Sequence, residues 1–272
     1  MTDRPCPICH RHKHRLKYVA DEFRVVRCKY CGFVYTANPV EQDQGREAYD
    51  EYFEASPVLE TGQHAAPDPA AMDIYRTRLS AIQKIKSDGS LLEIGCGRGY
   101  FLNMAAQAGY KVNGIEISPV AAHYAGLHYG LDVHVADFET MEFDHDAYDT
   151  IVMWHVLEHF RDPLGVLQSV YELLDDKGSL FIEVPNLNSL KFRLAPMGKK
   201  WQGGNHPRYH MSFFSYGQLK QLLTKCGFSI AGSLNLNYAE QNNPVKSIVK
   251  SLLSPVHLDS FLSVRCIKQD VE

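Results

Sequence analysis

Short apolar runs alternate with segments of helical periodicity through the middle of the chain. Apolar runs of this length predict buried strands, and the segments between them predict helices that begin at Ser118-Pro119 and Asp162-Pro163, where a capping side chain precedes a proline. The strands are predicted at residues 91–94, 111–117, 131–135, 147–154 and 180–184, with an antiparallel edge pair at residues 228 onward and 261–268. This alternation predicts an α/β fold.

Further segments complete the pattern. Residues 70–86 predict an amphipathic helix that leads into the first strand, and residues 215–227 predict a helix that ends at Gly227. Residues 240–258 are predicted to be an insertion between the two edge strands.

The composition is that of a globular protein, with 272 residues, 45 % hydrophobic, 22 % charged and a net charge of −4. No run approaches the roughly 20 apolar residues of a membrane helix. The charged N-terminus lacks the apolar region of a signal peptide. We therefore predict a cytoplasmic protein, in which the seven cysteines serve as thiols or metal ligands rather than disulfides.

Positive charge is concentrated in two segments. Residues 1–38 hold eight basic and three acidic residues, a balance of +5, and residues 186–228 hold seven basic and no acidic residues, a balance of +7. Such segments are either solvated surface or binding regions for an anion such as phosphate.

Two C-x-x-C pairs, Cys6/Cys9 and Cys28/Cys31, lie 18 residues apart near the N-terminus. This spacing is typical of a zinc site with four thiolate ligands, in which the closed coordination sphere makes the metal structural. A segment this small also needs a bound metal or a similar cross-link to fold. We predict a zinc ribbon over residues 1–38, with a hairpin between the pairs; a redox-active C-x-x-C is the alternative.

Residues 39–70 have the proline and glycine content of a linker. Within it, residues 47–54 place Tyr49, Tyr52 and Phe53 at helical spacing. This segment is either a short helix packed on the core or a lid over the ligand site. The remaining residues, 71–272, are predicted to form the main domain.

The first strand of that domain runs into a loop with Gly95, Gly97 and Gly99 and then into a helix. A strand, a glycine turn and a helix bring backbone amides against a nucleotide-like ligand. The dinucleotide fingerprint requires a glycine where this chain has Tyr100. Glu93 would also repel a pyrophosphate, so a neutral or cationic ligand is favoured.

The run from Glu93 through Gly99 resembles the first motif of the class I S-adenosylmethionine (SAM) methyltransferases. The resemblance implies a seven-stranded Rossmann-like sheet, with Glu93 near the methionine ammonium and the glycines beneath the ligand. Glu116, at the end of the second strand, is placed to accept hydrogen bonds from both ribose hydroxyls. The other residues expected to contact the cofactor are Ile117, Asp137 near the adenine amino group, Phe138 and His155.

His155-x-x-Glu158-His159 follows the fourth strand, and this region resembles the corresponding motif of the ubiquinone-biosynthesis O-methyltransferases. Three interpretations remain open. His155 packs beside the cofactor while Glu158 and His159 orient the loop, or His159 is the general base, or the three residues hold a second divalent metal together with a downstream histidine. That fourth ligand would be His206 or His210.

The sequence thus predicts a SAM-dependent methyltransferase that acts on the oxygen of a small-molecule, sugar or glycan acceptor, with an anionic, phosphate-bearing acceptor among the candidates. An RNA methyltransferase with the basic ribbon as RNA reader is less favoured. A non-catalytic SAM-binding adaptor is the third alternative. A metallopeptidase of the H-x-x-E-H type is the least favoured, because a proline-containing segment interrupts the helix that it needs.

Overall fold

The computed structural model describes residues 3–40, 50–51, 53, 69–142, 148–201, 206–234, 236 and 258–269, with the backbone alone at residues 197 and 198. Most of the predicted lid segment and nearly all of the predicted insertion at residues 240–258 lie outside the described residues.

The strands within this part are β1 (His14–Ala20), β2 (Phe23–Cys28), β3 (Val34–Thr36), β4 (Ser90–Ile94), β5 (Lys111–Glu116), β6 (Val133–Val135), β7 (Tyr148–Trp154), β8 (Leu174–Pro185), β9 (Ser212–Phe213), β10 (Phe228–Ser233) and β11 (Phe261–Lys268). The helices are α1 (Pro69–Gln83), α2 (Tyr100–Gln107), α3 (Pro119–Tyr129), α4 (Pro163–Leu173), α5 (Leu190–Leu194), α6 (Met197–Lys200) and α7 (Tyr216–Lys225). Among the helices of the described residues, none has both the length and the apolar character that a membrane span requires.

Seven strands form one sheet in the order β6-β5-β4-β7-β8-β11-β10. The five strands from β6 to β8 are parallel, whereas β11 pairs antiparallel with both β8 and β10. The predicted α/β fold with its antiparallel edge pair is confirmed. Strand β8 begins earlier than predicted, because residues before the apolar run continue to pair with β7 across a register shift.

Successive residues of the central strands pack on opposite faces of this sheet. Ile151 and Met153 of β7 belong to one buried core, and Val152 and Trp154 belong to the other. Helices α4 and α7 contribute to the first core, and α1 and α2 contribute to the second. Coverage of both faces explains why these strands are continuous apolar runs.

The predicted hairpin between the cysteine pairs consists of β1 and β2, to which β3 adds a third strand. A fourth strand, β9, comes from the main domain and pairs antiparallel with β3. Side chains of this N-terminal segment, among them Phe33 and Tyr35, belong to the same buried core as α4 and α7. The sequence pattern did not predict that the N-terminal sheet would extend into the main domain.

Candidate active site

A cavity of about 1030 Å³ opens at the carboxyl ends of the central parallel strands. Its lining includes the last residue of β4 (Ile94), of β5 (Glu116), of β7 (Trp154) and of β8 (Pro185). Ligands of open α/β sheets bind at this edge. The volume lies at the upper end of the roughly 300–1,000 Å³ that small-molecule pockets span, so the cavity has room for two small molecules.

The glycine loop leaves β4 with a left-handed backbone. Gly95 and Gly97 have φ angles of 72° and 53°, and both line the cavity. A Cβ at Gly95 would lie 2.5 Å from a methyl carbon of Val156, so a side chain there would collide with its neighbour. Gly99 has a different role, because it is the residue before α2 and a Cβ there would meet Leu131 at 2.7 Å.

Glu116 ties the glycine loop to the end of β5. Its Oε2 accepts a hydrogen bond of 2.7 Å from the backbone N–H of Gly97, and its Oε1 accepts one of 2.9 Å from Ser118. Burial raises the pKa of Glu116, although these N–H donors favour the carboxylate. Each oxygen keeps a second lone pair, so the side chain can accept further hydrogen bonds from a ligand in the cavity that it lines.

Ile117, Asp137 and Phe138 line the cavity next to Glu116, as the strand ends predict. Oδ1 of Asp137 accepts a hydrogen bond of 2.9 Å from the backbone N–H of Glu139, which fixes the turn after β6. Phe138 is buried and packs against Phe160, with ring centroids 6.1 Å apart.

Glu93 is placed differently from Glu116. It is buried within β4, and it is not among the residues that line the cavity. Its Oε2 has no hydrogen-bond partner within the described part of the chain. Burial raises the pKa of Glu93 well above its usual range, against the influence of Arg78. Its predicted proximity to a ligand ammonium therefore stays a prediction.

Phe53 belongs to the predicted lid segment and is a described residue. It lines the cavity beside Gly97. The Arg98 guanidinium donates a hydrogen bond of 2.6 Å to the Phe53 carbonyl. Tyr49 and Tyr52 lie outside the described residues. The role of the segment as a lid stays a prediction.

His155 lines the cavity with a left-handed backbone, φ 58°, but its ring is already held by two carboxylates. Nε2 lies 3.0 Å from Glu183 and Nδ1 lies 3.5 Å from Glu158. Burial disfavours a charge on His155, but these two carboxylates outweigh it and raise its pKa to about 9. The His155 ring is thus paired with carboxylates, and its place in the predicted metal set stays a prediction.

Glu158, His159 and His210 are the residues that the fold brings together, each offering one ligand atom within 4.8 Å of the others. Glu158 is 1 % exposed, and no hydrogen bond to either of its carboxylate oxygens is found among the described residues, although Oε1 faces His155. Burial would raise the pKa of Glu158, but the neighbouring histidines lower it. The His155 ring, 3.5 Å away, is thus a distant partner for this buried carboxylate, which can accept further hydrogen bonds or ligate an ion.

The two histidines of this cluster have defined states. Nδ1 of His159 donates a hydrogen bond of 2.9 Å to the Tyr209 carbonyl, so the lone pair of the neutral ring is on Nε2. Burial, with a contribution from His159 when that ring is protonated, lowers the pKa of His210 to about 3, so His210 is neutral at physiological pH. Its ring lies edge-to-face with His159, with centroids 4.8 Å apart.

Of the two predicted downstream ligands, the structure brings His210 to the cluster and not His206. Nε2 of His206 lies 3.2 Å from Oδ2 of Asp21 in the N-terminal sheet, and its ring contacts Phe23. Of the predicted metal ligands, the structure therefore groups Glu158, His159 and His210, whereas His206 pairs with Asp21. The second metal itself stays a prediction.

Residues 64–231 match the methyltransferase domain family, and this span is more than half of the 272-residue chain. The chain belongs to this methyltransferase family. The matched residues form a SAM-dependent methyltransferase domain, as the glycine loop and the strand-end carboxylates predicted.

Similar proteins of known name include two ubiquinone biosynthesis O-methyltransferases. The one from Paracidovorax citrulli is 28 % identical over 144 residues, which cover 50 % of this chain and 60 % of that protein. The one from Xanthomonas euvesicatoria is 24 % identical over 187 residues, which cover 65 % of this chain and 76 % of that protein. The match to the first of these relatives thus spans only about three fifths of its length.

A solved structure with the same fold is the 1,6-didemethyltoxoflavin-N1-methyltransferase of Burkholderia thailandensis, which has S-adenosylhomocysteine bound. Its TM-score is 0.58 at 15 % identity, with 94 % of this chain and all of that chain covered. At this identity the similarity shows the fold alone.

The methyltransferase domain contains a buried charge network that the sequence did not predict. Nη2 of Arg78 on α1 donates a hydrogen bond of 2.6 Å to Oε1 of Glu183 on β8, and His155 contacts the same oxygen. Burial opposes the charge of Glu183, but His155 and Arg78 lower its pKa to about 2. The available signal was a single glutamate within the apolar run of β8.

The residues on the far side of the methyltransferase cavity were also missed. They follow β8 and carry amide, hydroxyl, aromatic and ammonium groups: Asn186, Ser189, Lys191, Phe192, Lys199 and Lys200. Their basic character was visible in the charge balance of residues 186–228. Their position on the cavity wall was not visible in the sequence.

The H-x-x-E-H residues of the methyltransferase do not have the geometry of a metallopeptidase. His155 is the residue after β7, and the helical turn that follows is a single 3-10 turn, Leu157–His159. The peptidase motif needs both histidines on one face of a continuous helix. The peptidase alternative has no support.

In the N-terminal segment, the four cysteines converge. The Sγ atoms of Cys6 and Cys31 lie 3.5 Å apart, as do those of Cys9 and Cys28, and all four ligand atoms lie within 4.8 Å of one another. Zn–S bonds of about 2.3 Å in a tetrahedron place the sulfurs roughly 3.8 Å apart. The cluster therefore fits zinc, whereas the separations are too long for disulfides.

Proposed function

We propose that this methyltransferase transfers the methyl group of SAM to a hydroxyl group of a small acceptor that carries a negative charge. The observation that carries the proposal is that one cavity joins the glycine loop and Glu116 on one side to His159 and three lysines on the other.

The cofactor side fits SAM. The backbone of Gly95 and Gly97 would lie against the ligand, and Glu116 would accept hydrogen bonds from both ribose hydroxyls. Asp137 would receive the adenine amino group, with Phe138 and Ile117 as apolar contacts. Trp154 lines the cavity, and its buried indole N–H has no acceptor within the described residues. When bound, SAM supplies an activated methyl group on a sulfonium.

On the acceptor side, His159 would act as the general base. Its Nδ1–H is committed to the Tyr209 carbonyl, so the basic nitrogen is Nε2. As the methyl carbon passes from sulfur to the acceptor oxygen, the hydroxyl proton would move to Nε2 and S-adenosylhomocysteine would leave. The protein otherwise contributes alignment of the two reactants.

The negative charge of the acceptor is inferred from Lys191, Lys199 and Lys200, which all line the cavity. The ammonium group of Lys200 lies 5.5 Å from the ring centroid of Phe192, which places a cation next to an apolar wall. The acidic residues that line the cavity all come from other segments, between Glu116 and Glu158. A phosphate or carboxylate on the acceptor would match this side of the cavity.

An acceptor panel with methyl-labelled SAM tests this function. It should contain hydroxylated aromatic carboxylates, sugar phosphates, the neutral analogue of each, and total RNA. Label transfer to the anionic members, at least about tenfold faster than to their neutral analogues, is expected. Transfer to RNA alone would replace the proposal with the RNA methyltransferase. Absence of SAM binding by calorimetry would replace it with a non-catalytic adaptor.

A second arrangement of the same site is favoured by the unsatisfied carboxylate of Glu158 and the unpartnered, buried Nδ1 of His210. In it, Glu158, His159 and His210 would hold a divalent ion, and the Tyr209 carbonyl would orient the His159 ring as outer-shell partners do. Two imidazoles and one carboxylate suit Zn²⁺, Mn²⁺ or Fe²⁺ better than Mg²⁺. Such an ion, when bound, would make the acceptor hydroxyl more acidic.

Metal removal distinguishes the two arrangements. The protein is treated with EDTA, its remaining zinc is quantified, and turnover is measured before and after addition of Mn²⁺. Loss of turnover that Mn²⁺ restores, with about one zinc retained, supports the ion at Glu158, His159 and His210. If turnover is unchanged after every metal except that zinc has been removed, His159 acts as the base without a bound ion.

We further propose that Cys6, Cys9, Cys28 and Cys31 hold a structural zinc in a ribbon over residues 1–38. A cytoplasmic location, where thiols stay reduced, fits this site. Metal analysis of the purified protein should find one zinc that is lost in Cys6→Ser/Cys31→Ser. Zinc retention in that variant would contradict the assignment.

A further inference from the structure

The zinc-ribbon segment is joined to the loop that carries His210. In the sheet of β1, β2, β3 and β9, Tyr35 pairs with Ser212 and Val34 pairs with Phe213. The N–H of Thr36 then continues this ladder, with a hydrogen bond of 3.0 Å to the Met211 carbonyl. The backbone around His210 is therefore an extension of the ribbon sheet.

Thr36 contacts the backbone of His210 itself. The Thr36 side chain is fully buried, and its hydroxyl donates a hydrogen bond of 2.9 Å to the His210 carbonyl. Thr36 is the last residue of β3, and only Met211 separates His210 from the first residue of β9. The hydroxyl therefore fixes His210 relative to the ribbon.

Arg4 connects the ribbon with both segments of the histidine cluster. Its Nε donates to the Thr36 carbonyl at 2.9 Å, its Nη2 donates to the Met211 carbonyl at 2.9 Å, and its Nη1 donates to the Arg161 carbonyl at 2.7 Å. Arg161 follows the turn of Glu158 and His159. One guanidinium thus bonds to three carbonyls that lie 32, 157 and 207 residues away from Arg4 in the sequence.

One more hydrogen bond connects the segment of His210 directly to the segment of Glu158 and His159. The N–H of Met211 donates to the Glu158 carbonyl at 2.8 Å. Met211 therefore bonds through its N–H to the Glu158 segment and through its carbonyl to Thr36 and Arg4. A displacement of the ribbon would move His210 and His159 relative to each other.

We propose that the ribbon is a built-in part of the acceptor side of this active site, in which Arg4 is the positioning residue that sets His210 against His159. The proposal rests on the proposed function, since that function places these two histidines at the acceptor. It assigns the ribbon a role that needs neither RNA nor a protein partner. Arg4 and Thr36 act through backbone carbonyls and touch no substrate.

The side chains explain why an arginine is needed at position 4. Three carbonyls in different directions require the planar fork of a guanidinium, whereas a lysine ammonium on a flexible stem cannot reach all three at once. Arg4→Lys therefore keeps the charge and loses the geometry. Thr36→Val keeps the shape and removes only the hydroxyl.

The test is a set of two-dimensional ¹H–¹³C spectra of protein whose histidines are labelled at Cε1, with His210 and His159 assigned through His210→Gln and His159→Gln. Arg15→Lys is the matched control, because Arg15 lies on the same ribbon and its side chain is exposed. The exposed His123 and His134, on α3 and β6, report on the remainder of the domain.

In Arg4→Lys and in Thr36→Val, the resonances of His210 and His159 are expected to shift, while those of His123 and His134 and the affinity for SAM stay unchanged. Arg15→Lys should reproduce the wild-type spectrum. Unmoved His210 and His159 resonances in both variants would overturn the proposal, and so would equal shifts at all histidines, which indicate general loosening. Because no acceptor is needed, this result is independent of whether the proposed methyl acceptor is right.

Discussion

The two sides of the cavity are assembled in different ways. The cofactor side, which consists of the glycine loop, Glu116, Asp137 and Phe138, comes from one stretch of fewer than 50 residues. The acceptor side consists of Glu158, His159, His210 and the lysines between residues 191 and 200, and it is fixed by Arg4 and Thr36 of the ribbon.

This difference has a physical cause. Adjacent parallel strands place their carboxyl ends at one edge of the sheet, so residues that follow successive strands meet by topology alone. The acceptor side depends on hydrogen bonds across more than 150 residues of sequence. Such contacts specify position only after the whole domain has packed. The cofactor side should therefore tolerate changes that disturb the acceptor side.

The largest expected effect is at the charged network of Arg78, Glu183 and His155, beneath the cavity residue His155 and outside both sides. Glu183→Gln leaves the buried Arg78 without the carboxylate that it pairs with, and leaves His155 paired with Glu158. Loss of one partner of a buried pair costs about 3–5 kcal/mol, so the free energy of unfolding in urea should fall by that amount. Asp73→Asn, which removes an ion pair with both side chains more than half exposed, should change it by less than about 0.5 kcal/mol.

The pH dependence of this network has a defined sign. The pKa of Glu183 is about 2 in the folded protein, below its ordinary value of 4.5, so its contribution is complete above about pH 4.5 and declines as the pH falls toward 2. The difference in stability between wild type and Glu183→Gln should therefore narrow over that range. A difference that is constant with pH would show that Glu183 is not ionised.

The next largest effect concerns the acceptor side alone. His159→Asn removes the basic Nε2 and should lower turnover by about a hundredfold or more, while calorimetry finds the wild-type affinity for SAM. A weakened affinity for SAM would show that His159 also contributes to the cofactor side. Full turnover would exclude His159 as base or metal ligand. His134→Asn, an exposed histidine on β6, is the matched control and should retain full turnover.

The smallest effect is on the cofactor side. Glu116→Gln removes the charge that would bind both ribose hydroxyls, and the Kd for SAM should rise by at least roughly tenfold. The histidine resonances used for the ribbon test should not move. An unchanged Kd would contradict the ribose assignment, and a shift at His210 would contradict the independence of the two sides.

The sequence predicted some histidine roles and not others. His155 was predicted to contact the cofactor or a metal, and both roles stay predictions. The residue lines the cavity, and Glu183, distant in sequence, pairs with its ring together with Glu158. His206 and His210 were equivalent candidates, and the packing of His206 against Asp21 and Phe23 separated them. No local pattern contains the contacts of His155 with Glu183 or of His206 with Asp21 and Phe23.

The sequence by itself determined the α/β fold, the glycine loop, the carboxylates at successive strand ends and the two cysteine knuckles. Each of these depends on periodicity or on spacings of a few residues, which the backbone converts directly into geometry. The tertiary structure decided which histidines lie close together. It also decided that Glu183 pairs with both Arg78 and His155, and that β9 connects the ribbon sheet to the active site. Those contacts form between segments that only the packed core brings within hydrogen-bonding distance.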